Sequence, residues 1–198
     1  MSSIVIKGNT SGQIELAAPD VAGSTTLTLP TGSGSIIKDD GSGNLSVSGA
    51  ITGTGGIYLG GTASANLLDD YEEGTWTPYW STTGTSPTVT YTQQQGNYVK
   101  IGQFVFCEFS IQGSAYSGGS GNLRINGLPF TAAPNWAGTL VSGYNFGLNK
   151  SVAGYNESNS NYVNLTDLST TNGADYIAYS AVLAPFHMIA TITYRTTG

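Results

Sequence analysis

Gln103-Phe104-Val105-Phe106-Cys107-Glu108-Phe109-Ser110-Ile111-Gln112 alternates with a period of two. In an extended chain Val105, Cys107, Phe109 and Ile111 point one way, while Phe104, Phe106, Glu108 and Ser110 point the other. The reading is a strand buried on one face along its whole length and on the other at its start. Phe186 to Tyr194 repeats the pattern, with Phe186, Met188, Ala190, Ile192 and Tyr194 alternating against His187, Ile189, Thr191 and Thr193. Further strands are expected at 75–80, 88–92, 98–101, 123–126, 139–144, 162–166 and 177–183, each bounded by Gly, Pro, Asn, Asp or Ser. About nine short strands of this kind predict an antiparallel β-sandwich of jelly-roll type over residues 79–198.

Upstream the composition changes. Of 12 Tyr, 6 Phe and 3 Trp, only Tyr58 precedes residue 67. Residues 1–66 carry strand signals of two to five residues, such as Ile4-Val5-Ile6, Gln13-Ile14-Glu15-Leu16, Thr25-Thr26-Leu27-Thr28-Leu29, Ser35-Ile36-Ile37 and Leu45-Ser46-Val47. Backbone ordering costs about 1–2 kcal/mol per residue, and these few aliphatic side chains bury too little area within one chain to offset it. Packing between chains resolves the deficit, and three copies about an axis let each side chain meet its own counterparts. The segment therefore reads as a stem of a homotrimer. Between stem and head, residues 67–78 place Asp69, Asp70, Glu72 and Glu73 before Gly74-Thr75-Trp76-Thr77-Pro78, an acidic neck with a turn-like exit. Ala63 to Glu73 is either a short helix or irregular.

The run Gly56-Gly-Ile-Tyr-Leu-Gly-Gly-Thr-Ala63 leading into Asp70-Tyr-Glu-Glu-Gly-Thr-Trp-Thr-Pro78 resembles bacteriophage tail-fibre and related virion appendage proteins. Gly96 to Gly102, Ile125 to Phe130, Ile192 to Thr196, Thr25 to Pro30 and Lys38 to Leu45 are similar to phrases of the same family. The resemblance implies an all-β virion subunit, with an N-terminal part docked on other virion proteins and a C-terminal receptor-binding head.

Composition narrows the remaining classes. Charged residues make up 9% of the chain, against a usual ~25%, and no apolar run approaches the ~20 residues of a spanning helix, so membrane insertion is not expected. The six basic residues are scattered and the net charge is −6, which argues against nucleic acid as a partner. Cys107 stands alone and reads as a small buried hydrophobe. Met1 to Lys7 lacks the basic-then-apolar pattern of a secretory signal, so synthesis and assembly in the host cytoplasm are expected.

Candidate chemistry is sparse. His187 is the single histidine and no Gly-x-Ser-x-Gly elbow accompanies it, so a Ser-His device is not expected. One Cys and one His leave no zinc spacing. The four neck acids are compatible with a calcium ion on a threefold axis, although a solvated acidic turn accounts for them and no metal is assigned. Glycosidases need two carboxylates, and the head offers Glu108, Glu157, Asp167 and Asp175. Loop phrases that pair an aromatic with an amide suit saccharides, because a ring face covers the sugar's C–H surface while amides meet its hydroxyls. They nominate Asn135, Trp136, Tyr144, Asn145, Tyr155, Asn156 and Tyr162 as contacts for a host surface glycan.

The expected function is host-surface recognition by a non-enzymatic tail-fibre subunit that needs no cofactor. A purely structural appendage and a small polysaccharide depolymerase are the alternatives. For the stem, residues 1–66 expressed alone are expected to be oligomeric or unstructured by light scattering and circular dichroism. A cooperatively folded monomer would overturn that reading.

Overall fold

A computed structural model of the chain describes residues 3–7, 11–17, 42, 44, 45, 47, 49–135, 138–170 and 175–197. The expected strands at 25–29 and 35–37 lie outside these residues. Two compact units divide the chain, residues 1–52 and 53–198.

In the first unit β1 (Ser3–Lys7) and β2 (Gln13–Ala17) form an antiparallel pair, with Val5 opposite Glu15. Ile4 and Ile6 project to one face of β1 and Val5 to the other, and all three are exposed. A two-stranded ribbon of this kind is marginal by itself.

The second unit begins with a small ladder, β3 (Ile57–Tyr58) against β4 (Leu67–Leu68). The helix considered for residues 63–73 is absent. Ser64–Asn66 makes a single 3-10 turn, and the acidic stretch continues as strand β5 (Tyr71–Trp76). The main sheet then takes up β6 (Tyr79–Thr82), β7 (Thr88–Ile101), β8 (Phe104–Ser117), β9 (Leu123–Asn126), β10 (Gly138–Phe146), β11 (Val152–Asn156), β12 (Tyr162–Asp167), β13 (Asp175–Tyr176) and β14 (Phe186–Arg195). Spatial order is β5-β7-β8-β14-β10-β11-β12-β9-β6, with β13 added on β12, and every pairing is antiparallel. The all-β antiparallel head expected from the alternation is what the structure shows, built from one continuous curled sheet.

The curl follows from connectivity. β5 and β6 occupy opposite ends of the strand order, yet only Thr77 and Pro78 separate them in sequence. Three Cα steps reach roughly 11 Å at most, so the two edges of the sheet must lie side by side. Side chains of β7 close that seam. The Gln94 amide donates to the Pro78 carbonyl at 2.9 Å, and the Trp80 N–H donates to the Tyr91 hydroxyl at 2.8 Å.

The closed side is the core. Val105, Cys107, Phe109 and Ile111 of β8 meet Met188, Ala190 and Ile192 of β14, and all are buried. Burial pushes the Cys107 thiol up to about 12, so it is an inert apolar group. Trp76 lies edge-on to Phe109 at 5.6 Å and Trp80 edge-on to Phe186 at 5.3 Å. Two of these rings, Trp76 and Phe186, fit because the neighbouring strand supplies no side chain beneath them. A Cβ at Gly96 would overlap Trp76, and one at Gly113 would overlap Phe186.

Three local expectations change. The strand expected at 75–80 is split at Thr77–Pro78, because proline has no N–H to continue a ladder. Residues 177–183 bury Ile177 and Val182 through a 3-10 turn at Tyr179–Ala181 rather than a strand. Phe104 and Phe106, read as covered, are half exposed, because they alternate with the inward Val105 and Cys107 and so point away from the core.

The seam predicts a specific cost. Tyr91→Phe leaves the Trp80 N–H without its acceptor and is expected to lower unfolding stability by about 1–3 kcal/mol in urea titration. An unchanged midpoint would show that the seam contributes nothing.

Candidate functional site

Over β7, β8 and β14 the opposite face of the sheet carries exposed side chains. Register places its side chains in rows that run across the strands. Tyr71, Ile101, Phe104 and Arg195 form the first row; Glu73, Val99, Phe106 and Thr193 the second; Thr75, Asn97, Glu108, Thr191 and Val141 the third. Gln95, Ser110, Ile189 and Tyr144 form the fourth. The face thus changes from apolar to polar along the strands.

Between the second and fourth rows lies an open trough. One lobe of about 530 Å³ is bordered outwardly by Asn97, Val99, Phe106, Glu108, Thr191 and Thr193. A second lobe of about 240 Å³ shares Asn97 and Glu108 and extends to Gln95, Ser110 and Ile189. The Asn97 amide donates to Glu108 Oε1 at 3.1 Å. That bond orients the carboxylate, and Glu108 Oε2 has no protein partner among the described residues. Beyond it a polar chain continues. Gln93 Nε2 donates to Gln95 Oε1 at 2.9 Å, the Ser110 hydroxyl donates to Gln93 Oε1 at 3.2 Å, and Ser110 Oγ stands 3.0 Å from His187 Nε2. Tyr144 meets the His187 ring edge-on at 5.2 Å. Ser110 and His187 are diagonal neighbours on adjacent strands. No carboxylate contacts the histidine ring among the described residues, so the pair has no third member of a triad.

A second cluster lies on the outer side of β9, β11, β12 and β13. The Arg124 guanidinium stacks over the Tyr162 ring at 4.0 Å and donates through Nε to Asn164 Oδ1 at 2.8 Å. Glu157 accepts from the Tyr162 hydroxyl at 2.5 Å and from Asn164 Nδ2 at 2.9 Å. Tyr155 and Tyr176 share a hydrogen bond between their hydroxyls. The Tyr162 hydroxyl, together with Asn164 and Arg124, holds the Glu157 carboxyl below its usual range. Burial, then the bond to Tyr176, raises the Tyr155 phenol. The cluster's polar atoms are spent on one another, which makes it a rigid surface feature.

The sequence-nominated contacts scatter across this framework. Tyr155 and Tyr162 come together in the cluster, and Tyr144 is exposed beside His187. Asn135 is exposed, takes φ 72°, and donates its N–H to Ser158 Oγ at 2.7 Å. Asn156 is fully buried on the core side, with its amide donating to the Tyr162 carbonyl at 3.4 Å. Trp136 and the Asn145 side chain lie outside the described residues. The trough residues escaped the loop-based search because they sit in strands, and only register brings them together. Glu108, singled out among the head acids, was the available signal.

Three of the four neck acids are engaged individually. Asp70 pairs with the buried Lys100 ammonium, Glu72 accepts from the Tyr98 hydroxyl at 2.5 Å, and Glu73 accepts from Tyr71 at 2.8 Å. Among the described residues no three metal-ligating side chains converge.

No known protein family and no curated protein sequence matches the chain. Among solved structures, the fold is similar to that of the Dettilon tailspike protein, with a TM-score of 0.52 and 17% sequence identity. The match covers 63% of this chain and 24% of the tailspike chain, so the likeness spans about a quarter of that protein. It is a likeness of β-rich fold.

The Glu157 network carries a pH signature. Folding lowers this carboxyl's pKa, so its contribution is complete above the unfolded value of about 4.3 and is lost as pH falls through the folded value. Wild-type stability in urea is expected to fall more steeply between pH 6 and pH 3 than that of Glu157→Gln. Parallel profiles would remove Glu157 from the account.

Proposed function

We propose that the chain is a bacteriophage appendage subunit that binds a host-surface saccharide in the trough over β7, β8 and β14. The observation that carries this reading is the lining itself. Phe106, Val99 and Ile189 offer apolar surface for a sugar's C–H groups, and Asn97, Thr191, Thr193 and Glu108 offer hydrogen-bonding groups for its hydroxyls. The volume lies within the ~300–1,000 Å³ of ordinary ligand sites. Fold likeness to a tailspike and the virion-appendage phrases in the sequence agree with a place on the tail. In this reading the N-terminal part attaches the subunit to other virion proteins.

Binding without cleavage is favoured by one feature. Glu108 is the single carboxylate among the residues lining both lobes, whereas glycoside hydrolysis ordinarily uses two. Glu108 then serves as an acceptor for sugar hydroxyls.

The test is a glycan array of host envelope saccharides probed with the full chain. Phe106→Ala is expected to weaken binding about tenfold, roughly 1.4 kcal/mol, while leaving circular dichroism unchanged. Failure to bind any host saccharide would favour a purely structural appendage. Shortening of the saccharide that is abolished by Glu108→Gln would favour a depolymerase.

A further inference from the structure

We infer that the third row of the trough is a seat for an ammonium group, so that the saccharide taken there is one bearing a free, protonated amine. The inference deepens the saccharide reading and rests on it. Register sets Asn97 on β7 and Thr191 on β14 directly opposite Glu108 on β8, one on either side. Side chains so placed have Cβ atoms about 4.5–5.5 Å apart, close enough to share one ligand group. The Asn97 amide donates to Glu108 Oε1, and that bond decides what the row has left to offer. Asn97 Oδ1, Glu108 Oε2 and the Thr191 hydroxyl have no protein partner among the described residues, and all three residues line the trough. Each of these oxygens can accept a hydrogen bond, and the amide and carboxylate oxygens can do nothing else. A protonated amine is their complement, with three N–H donors and no acceptor, whereas a sugar hydroxyl brings the row a single proton.

Charge selects the same group. Among the described residues that line the two lobes, Glu108 is the only charged one. The basic residues of the second unit are engaged elsewhere. Lys100 is buried with Asp70, Lys150 pairs with Asp167 at 2.9 Å, and Arg124 lies over the Tyr162 ring. Arg195, two rows away, is hydrogen-bonded to Gln103 and stands over the Phe104 ring. His187, two rows the other way, stands against Ser110 and Tyr144. A carboxylate without a counter-ion gains a charge-assisted hydrogen bond from an ammonium, roughly twice as strong as a neutral one. An acidic sugar would set like charge against it. A divalent metal ion fits poorly, since calcium takes about 6–8 oxygen ligands and one carboxylate is all the row supplies. The half-exposed Phe106 ring, next along β8 on the same face, adds a π surface that favours a cation over a neutral group.

The test titrates the full chain calorimetrically, at about pH 6 where an amine is protonated, with a glucosamine tetramer and with its fully N-acetylated form. The two probes differ only at nitrogen. The free-amine tetramer is expected to bind about tenfold more tightly. Glu108→Gln keeps an acceptor for Asn97 and is expected to shrink that preference to about twofold or less, without changing circular dichroism or the affinity for the acetylated form. Asp175→Asn, an exposed acid that does not line the trough, is expected to keep the full preference. Equal affinity of the wild-type chain for the two tetramers would overturn the inference. So would an equal loss in Asp175→Asn, which would assign the preference to general attraction by a chain of net charge −6. Tighter binding of an amine-free host saccharide that is weakened by Phe106→Ala would overturn it while leaving the saccharide reading intact. Failure of both tetramers to bind would also overturn it, and the saccharide reading would then stand or fall on the glycan array alone.

Discussion

Everything in the second unit depends on the two-residue step at Thr77–Pro78. Because β5 and β6 are consecutive in the chain and terminal in the sheet, the sheet has no choice but to curl until its edges meet. Proline enforces the switch. It lacks the N–H that would carry pairing along β7, and its carbonyl is taken by Gln94 instead. Once the edges are fixed, one face of every strand becomes interior. Trp76 then reaches Phe109 and Trp80 reaches Phe186, and the Trp76 and Phe186 rings fill space that a side chain at Gly96 and at Gly113 would otherwise occupy. Among the described residues a single curled sheet thereby supplies both sides of its own core. Its outer face over β7, β8 and β14 carries the exposed side chains.

Legibility in the sequence follows the same division. Period-two alternation identifies inward residues well, since Val105, Cys107, Phe109 and Ile111 on β8 and Phe186 to Tyr194 on β14 are buried on the side their spacing assigns. Strand 123–126 is found to the residue, because turn signals bracket Leu123 and Asn126. Length is harder to read. The two pieces expected at 88–92 and 98–101 are one strand of fourteen residues, since Gln93, Gln94 and Gln95 look like a polar connection until their neighbours on β8 are known. β11 was missed because Ala153 and Gly154 break the alternation, and Gly154 is there to let β12 and β10 come close. Candidate binding residues stand out in loops, where aromatic and amide neighbours are adjacent in sequence. Asn156 shows the weakness of that signal, for adjacent residues in a strand point to opposite faces.

The low charge of the chain, 9% of residues, is evident on the exposed face. A surface rich in Lys and Glu would hydrate strongly and compete with a neutral ligand for every hydrogen-bonding group. Here the central rows are amide, hydroxyl and ring, with one oriented carboxylate, and their hydrogen bonds run both along β7, from Gln93 to Gln95, and across to β8, from Asn97 to Glu108 and from Ser110 to Gln93. Side chains held in this way have little conformational freedom left to lose. The Arg124, Tyr162, Glu157 and Asn164 network has similar chemistry but leaves fewer of its polar atoms unpaired, so its contribution is rigidity near the same face.

Read along β8, the outward residues are Phe104, Phe106, Glu108, Ser110 and Gln112, an ordered passage from apolar to polar within one strand. A uniform apolar stripe would demand complete coverage, and a uniform polar stripe would demand none. Along this gradient burial is most favourable at Phe104, and hydrogen bonding is most available from Glu108 onward. Phe106 stands where the two tendencies overlap, half exposed on the border of the trough, and the ladder of β7, β8 and β14 fixes its distance from Glu108 one row away.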